Sequence, residues 1–402
     1  GGATSAPGHA ICTPLGMQPV SAPTARPHAQ AADARADTVV LLSCQARPPL
    51  CHELASQAFI ARGVAQLLGA GFDGHYDAGR HHQVPSLYFV PDDTLTSLAA
   101  AHQLGIRNPR QLYGGVVPFP FVATKTITHP LVNARAQAPA GWSPEFAERV
   151  RTIALPGYSA FSLRDAQAAA LRLLRHGTVR LKEAGGVGGA GQALIRKRDE
   201  LQARLRALDE ARVEREGVVL ELNLARLTTY GVGLVHVGDV TAAYFGEQRL
   251  TFNNRGKEVY GGSSFTVVRG DFDALARWAP SAVIKTAVEQ ARIYHDAALA
   301  SFAGMFASRC NYDVVQGYDA TGRWFSGVLE QSWRLGGGSA AELAALRIFR
   351  ADPSVRTVRA ATTETYGPHA SVPADADVYF SGVDEHVGPL TKYVRLQTHG
   401  GP

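Results

Sequence analysis

The run Gly185-Gly186-Val187-Gly188-Gly189-Ala190-Gly191 holds five glycines in seven positions. It follows Val179-Arg180-Leu181-Lys182-Glu183, which reads as a strand carrying a lysine near its end, and is expected to precede a helix. Glycine lets backbone N–H groups come close to phosphate oxygens, and a neighbouring ammonium adds a point charge. A surface turn is the competing reading of the glycines by themselves. Gly186 to Gly191 also satisfies G-x-G-x-x-G. That fingerprint calls for an apolar strand running straight into its first glycine in the first βαβ unit, and here Lys-Glu-Ala intervenes. No Gly-Lys-Ser/Thr follows, so the run is not a Walker A loop. Lysine is scarce, with six among 40 basic residues, so Lys125 and Lys182 draw notice.

A second group of candidates lies in Tyr312-Asp313-Val314-Val315-Gln316 and Val328-Leu329-Glu330-Gln331-Ser332-Trp333-Arg334. The two runs are predicted to form a hairpin through the turn Asp319-Ala320-Thr321-Gly322. Asp313 and Glu330 would then face the same space. Paired carboxylates on rigid strands suit Mg²⁺, which takes oxygen ligands and shares them with substrate phosphates. Alternation places Glu330, Ser332 and Arg334 on one side, so that two oxygen donors and a guanidinium meet a phosphoryl group. A solvent-facing polar strand is the competing reading.

The elements that position these residues follow from periodicity and breakers. Thr38-Val39-Val40-Leu41-Leu42-Ser43 is a continuous apolar run, as in a buried parallel strand. Residues 52–69 have helical character, Ser86 to Val90 reads as a second strand, and a helix is capped near Thr96 or Ser97. This alternation predicts an α/β domain over residues 37–120. Residues 130–150, rich in Pro and Ala, read as a loop. Ser162 caps a helix over 163–176 that Gly177 ends. A charged helix is expected within 195–216, a buried strand at Val218 to Leu222, strand-like runs near 232–245 and 264–268, a helix at 280–307, and an Ala-rich helix from the triplet Gly336–Gly338 to Arg350. Residues 1–36 show no apolar periodicity and read as a disordered lead-in.

Composition bounds the rest. A chain of 402 residues with 46% apolar content has room for two or three domains with real cores. No stretch approaches the roughly 20 apolar residues of a membrane helix. The net charge of +5 is spread along the chain, without the basic block that nucleic acid would attract. Cys12, Cys44, Cys51 and Cys310 are too scattered for a disulfide framework and are read as reduced thiols of a cytoplasmic protein.

Taken together, the clusters resemble the ATP-grasp superfamily over roughly residues 37–350. The resemblance implies an amino-terminal parallel-sheet α/β domain followed by a two-lobed ATP-binding unit, α+β in its lobes, with a small lobe over 121–224 and a large lobe over 225–402. Lys125 in Val122-Ala123-Thr124-Lys125 looks like the first nucleotide lysine, and Lys182 looks like the second, with a catalytic role. Gly185, Gly186, Gly188, Gly189 and Gly191 resemble the loop that closes over the phosphates. Glu221 and Leu222 resemble the hinge whose backbone pairs with adenine. Asp313, Glu330 and Ser332 fall on the metal positions, and Arg334 falls where some members hold an acyl phosphate. The family's last motif is Glu-x-Asn, and Ser332 stands in place of the Asn.

The implied activity is that of an ATP-dependent ligase with ATP and Mg²⁺. It would activate a carboxylate as an acyl phosphate and join it to an amine or other nucleophile. Both substrates would be small molecules, the assembly a homodimer, and neither nucleic acid nor membrane a partner. The rivals are a nucleotide-binding protein without catalysis and an NAD-dependent oxidoreductase using Gly186 to Gly191.

Overall fold

The computed structural model describes residues 36–185 and 191–397. The lead-in 1–35 and the glycines Gly186, Gly188 and Gly189 lie outside the described residues. The fold is mixed α/β. Strands β1 (Thr38–Leu42), β2 (Gly71–His75) and β3 (Leu87–Pro91) form a parallel sheet in the order β2-β1-β3. The apolar run of β1 is buried at Val39, Val40 and Leu41, as its lack of alternation requires. Between β1 and β2 lies the helix Cys51–Leu68, which ends at Gly69 with φ 64°, a left-handed cap that glycine adopts without strain. Sequence periodicity misses β2, Gly-Phe-Asp-Gly-His, because an edge strand with exposed Gly and Asp carries no apolar run. The short β4 (Gly115–Val116) leads away from this sheet.

The 130–150 segment is not all loop: Pro144–Val150 is helical, with Ser143 Oγ accepting from Phe146 N. Next come β5 (Gly157–Ala160), β6 (Val179–Glu183), β7 (Gln192–Ile195) and β8 (Val218–Leu222), in the order β5-β8-β6-β7 and all antiparallel. The Gly cluster therefore precedes a strand, β7, not the expected helix. Gln192 to Ile195 pair with Lys182 to Val179, and this hairpin lacks the strand-to-helix setting of a dinucleotide fingerprint. Ser162 caps the helix Leu163–Leu174 as expected. The charged run is two helices, Arg198–Ala207 and Glu210–Glu216, broken where Leu208 turns extended and Asp209 caps the second. All three helices pack on one face of the sheet over Ala169, Leu181, Leu201, Val218 and Leu220.

The third unit is an eight-stranded antiparallel sheet. Its strands are β9 (Ala225–Val237), β10 (Val240–Phe252), β11 (Glu258–Arg269), β13 (Arg309–Tyr318), β14 (Trp324–Ser332), β15 (Thr357–Tyr366), β16 (Asp377–Asp384) and β17 (Gly388–Gln397). Their order is β14-β13-β9-β10-β11-β15-β17-β16. The two-residue β12 (Phe306–Ala307) pairs with β4 and ties this unit to the first sheet. The long helix is Ala282–Ser301, shorter than the expected 280–307, and Phe302 caps it in an extended conformation. It packs on one face with Phe272–Trp278, burying Val232, Phe245, Tyr312 and Val328. The helices Ser339–Ala351 and Cys51–Leu68 cover much of the other face over Tyr244, Phe265 and Val267.

Cys51 is disulfide-bonded, whereas Cys44 and Cys310 are free, so the reading of all thiols as reduced is corrected at Cys51. A disulfide depends on Cα atoms approaching within about 7 Å, which spacing along a sequence does not reveal. Among the described residues no helix is long and apolar enough to cross a membrane.

Candidate active site

Strand alternation decides which side chains leave the cores. In β6, Val179 and Leu181 point into the helix-covered core, so Arg180 and Lys182 take the opposite face. In β8, Val218 and Leu220 point the same way as Val179 and Leu181, and Glu221 emerges beside Arg180. Lys182 and Glu221 form a buried ion pair. His129 Nε2 lies 2.9 Å from the other Glu221 oxygen. Burial opposes ionisation of Glu221, but Lys182 first and then His129 outweigh it, leaving the carboxyl at about 2. His129 carries no periodic signal in the sequence and was missed there.

Lys125 stands on a one-turn 3-10 helix, Lys125–Thr128, with Thr124 as its cap. The opposite sheet holds this turn in place: Gln331 Nε2 donates to Val122 O and Thr124 O, both at 2.8 Å. Ser159 on β5 donates to Thr126 O from the other side. The Lys125 ammonium is thereby presented to Glu330, with Nζ 3.2 Å from Oε2.

Asp313 and Glu330 are direct cross-strand partners, so they share a face of the sheet. Asn311 and Ser332 are the next partners on that face. Asp313 Oδ1 accepts from Asn311 Nδ2 and from Gln248 Nε2, each at 3.1 Å. Burial and the adjacent Glu330 carboxylate push Asp313 up to about 7, against the pull of Asn311, Lys182 and Lys125. Under these residues the sheet is stripped of side chains. A Cβ on Gly233 would fall 2.2 Å from the Tyr244 ring, and one on Gly246 only 1.8 Å from Ser264 O. With glycine there, the Tyr244 hydroxyl crosses the strand to reach Asn311 Oδ1 at 3.2 Å and Glu342 Oε1 at 2.5 Å.

Ser332 is less free than its position suggests. Its hydroxyl accepts from Arg309 NH1 at 3.1 Å, and Arg309 is itself buried against Glu342 at 2.9 Å. Arg334 lies beyond the end of β14, so alternation does not carry to it. Its Nε is 3.9 Å from Asp93 Oδ1, at the carboxyl end of the parallel sheet. Leu222 N–H is bonded to Pro156 O at 2.9 Å and Asn223 N–H to Thr178 O at 2.9 Å, so these two hinge donors are occupied. Gly185 ends the described part of the glycine run, and Gly191 (φ 70°) turns the chain into β7 beside Glu183. The structure thus brings together Lys125, Lys182, Glu221, Asp313 and Glu330. It sets Arg334 toward the first sheet. Asn311, Gln248, Gln331, Arg309 and His129 join the site without having been singled out from sequence.

Among the described residues no group of three or more His, Cys, Asp and Glu is arranged to hold a metal ion. The oxygens near Asp313 are instead two carboxylates, an amide and a hydroxyl. Such all-oxygen donors suit Mg²⁺.

Three sheets in this order bring two lysines, Lys125 and Lys182, to a paired Asp313 and Glu330. The chain belongs to the family described as "Protein of unknown function (DUF3182)", which matches residues 40–394. Among solved structures it is similar to phosphoribosylamine–glycine ligase from Thermotoga maritima, at 14% identity over 90% of this chain and 92% of that one, TM-score 0.49. It is similar to biotin carboxylase from Campylobacter jejuni, at 10% identity over 89% and 87%, TM-score 0.48. It is also similar to an N5-carboxyaminoimidazole ribonucleotide synthetase in complex with ADP, at 12% identity over 90% and 93%, TM-score 0.47. No curated protein matches the sequence.

Proposed function

We propose that the protein is an ATP-dependent ligase that activates a small carboxylate as an acyl phosphate and passes the acyl group to an amine or other nucleophile. On this reading residues 37–120 precede a small lobe over 121–224 and a large lobe over 225–402. The observation that carries the proposal is the approach of Lys125 and Lys182 to the Asp313–Glu330 pair. One ammonium stands on β6 and the other on the 3-10 turn Lys125–Thr128, and both carboxylates come from the eight-stranded sheet. Triphosphate oxygens would take the two ammonium groups, and Lys182 would leave Glu221 in part to reach them. Fixed cations aimed at a transferring phosphoryl group lower the barrier without reorganising at the moment of reaction.

Mg²⁺ would be held by Asp313 and Glu330, with Asn311 Oδ1 or Ser332 Oγ as the neighbouring oxygen donors, and would supply neutralisation of phosphate charge. Arg334, near Asp93 at the mouth of the parallel sheet, would orient the carboxylate substrate with its planar fork of donors. Water competes with the nucleophile by hydrolysing an acyl phosphate, and the buried Lys182–Glu221–His129 group would form one dry wall of the site.

The test is ADP or phosphate release from ATP and Mg²⁺ with pooled carboxylates and amines. Release that needs both an acid and a nucleophile, and that disappears in Glu330→Gln, supports the ligase. ATP binding without ADP release from any pool leaves a nucleotide-binding protein as the better reading.

A further inference from the structure

A cavity of about 610 Å³ opens at the β5 edge where the four-stranded sheet meets the eight-stranded one. Lys125, Lys182, Glu221, Asp313 and Glu330 do not line it. Its walls are the carboxyl end of the helix Leu163–Leu174, the connection through Leu155 and Pro156, and the start of β14. Every charged side chain along it is cationic: Arg151, Arg172, Arg175 and Arg323, with His176 beside them and no carboxylate. Among the described residues Arg172, Arg175 and Arg323 form no ion pair, and Arg151 pairs only with the exposed Glu148, outside the cavity.

Two of these guanidinium groups are held in position. Arg172 lies 5.9 Å over the Tyr158 ring and donates to Val132 O at 2.7 Å. Arg323 lies 4.9 Å over the Phe325 ring. A guanidinium held on an aromatic face keeps in-plane N–H donors for an anion, which is the geometry that matches phosphate and carboxylate. Trp324, an exposed large aromatic, stands at the same wall. Four like charges collected around one concavity repel one another, and a bound anion relieves that repulsion.

We infer that this cavity binds a small polyanion carrying at least two phosphate or carboxylate groups, at a site separate from the candidate active site. Arg172 and Arg175 come from the four-stranded unit and Arg323 from the eight-stranded one, so the ligand bridges the two. His129 links the cavity to the candidate active site: it lines the cavity while its Nε2 lies against Glu221, the partner of Lys182. Occupancy therefore acts on the group that restrains Lys182. Binding itself does not depend on the ligase reading.

The probe is inorganic pyrophosphate without divalent metal, titrated into the full chain by calorimetry with Trp324 fluorescence as a local reporter. Saturable binding is expected, weakened about tenfold or more, or about 1.4 kcal/mol, in Arg175→Ala/Arg323→Ala. Both side chains are exposed, and unchanged circular dichroism confirms the fold. A single Arg175→Gln serves if the double variant misfolds. Saturable binding of the probe should persist in Lys182→Ala, and orthophosphate should bind more weakly than pyrophosphate. Binding that survives the arginine substitutions but fails in Lys182→Ala puts the anion in the candidate active site and overturns the inference. So does the absence of saturable binding, or equal affinity for orthophosphate.

Discussion

Replacing Glu221 by Gln removes one charge from a buried set of three groups and keeps the shape. Glu221 and Lys182 are both nearly inaccessible, and His129 closes the other carboxylate oxygen at 2.9 Å. Removing one partner of such a pair leaves the other buried and uncompensated, which costs about 3–5 kcal/mol. The acidity of Glu221 gives an independent figure. Its carboxyl is held at about 2 against an ordinary value of 4.5, a difference worth about 3 kcal/mol. Because the folded value is depressed, this stabilisation is fully present above about pH 4.5 and is lost as the pH falls toward 2. Urea denaturation of Glu221→Gln at pH 7 should show a loss of about 3 kcal/mol. The part of the parent's acid destabilisation that falls between pH 4.5 and 2 should be smaller in the variant. Adding Lys182→Met should recover much of the loss, since no charge then stays stranded. Under the ligase reading, ATP should stabilise Glu221→Gln more than the parent, because Lys182 no longer divides itself between carboxylate and phosphate. A loss below about 1 kcal/mol, with an unchanged acid limb, would refute the reasoning by showing that the pair is solvated or loosely held.

Lys182→Ala should raise the ATP dissociation constant at least tenfold, about 1.4 kcal/mol by calorimetry, and unchanged affinity in a folded variant removes Lys182 from the nucleotide site. Glu330→Gln should abolish ADP release while keeping most of the lysine-dependent ATP binding; Ser332→Asn should preserve or improve Mg²⁺ affinity measured with bound nucleotide. Gln331→Ala strips the donor from two carbonyls, Val122 O and Thr124 O, and should cost about 2–4 kcal/mol in urea denaturation, with weaker nucleotide binding as the Lys125 turn loosens.

What the chain's own order of residues determined was local. The apolar runs around Lys182 and through Val218 to Leu222 read as strands, and they are β6 and β8. The Ser162 cap and the turn at Asp319 to Gly322 bounded their elements, because caps and turns are made by residues a few positions apart. The pairing of Asp313 with Glu330 was anticipated from one hairpin, where a short turn sets the register. Apart from the lysines and carboxylates grouped by the resemblance, contacts between distant segments were hidden. Gln331 fixes a turn more than 200 residues earlier, His129 meets Glu221 across two elements, and Arg309 takes the Ser332 hydroxyl because Glu342 holds it there. The Cys51 disulfide and β7 following the glycines belong to the same class. Such contacts are chosen by which faces of the three sheets meet. That choice is made by the burial of whole apolar surfaces, which no short run of sequence encodes.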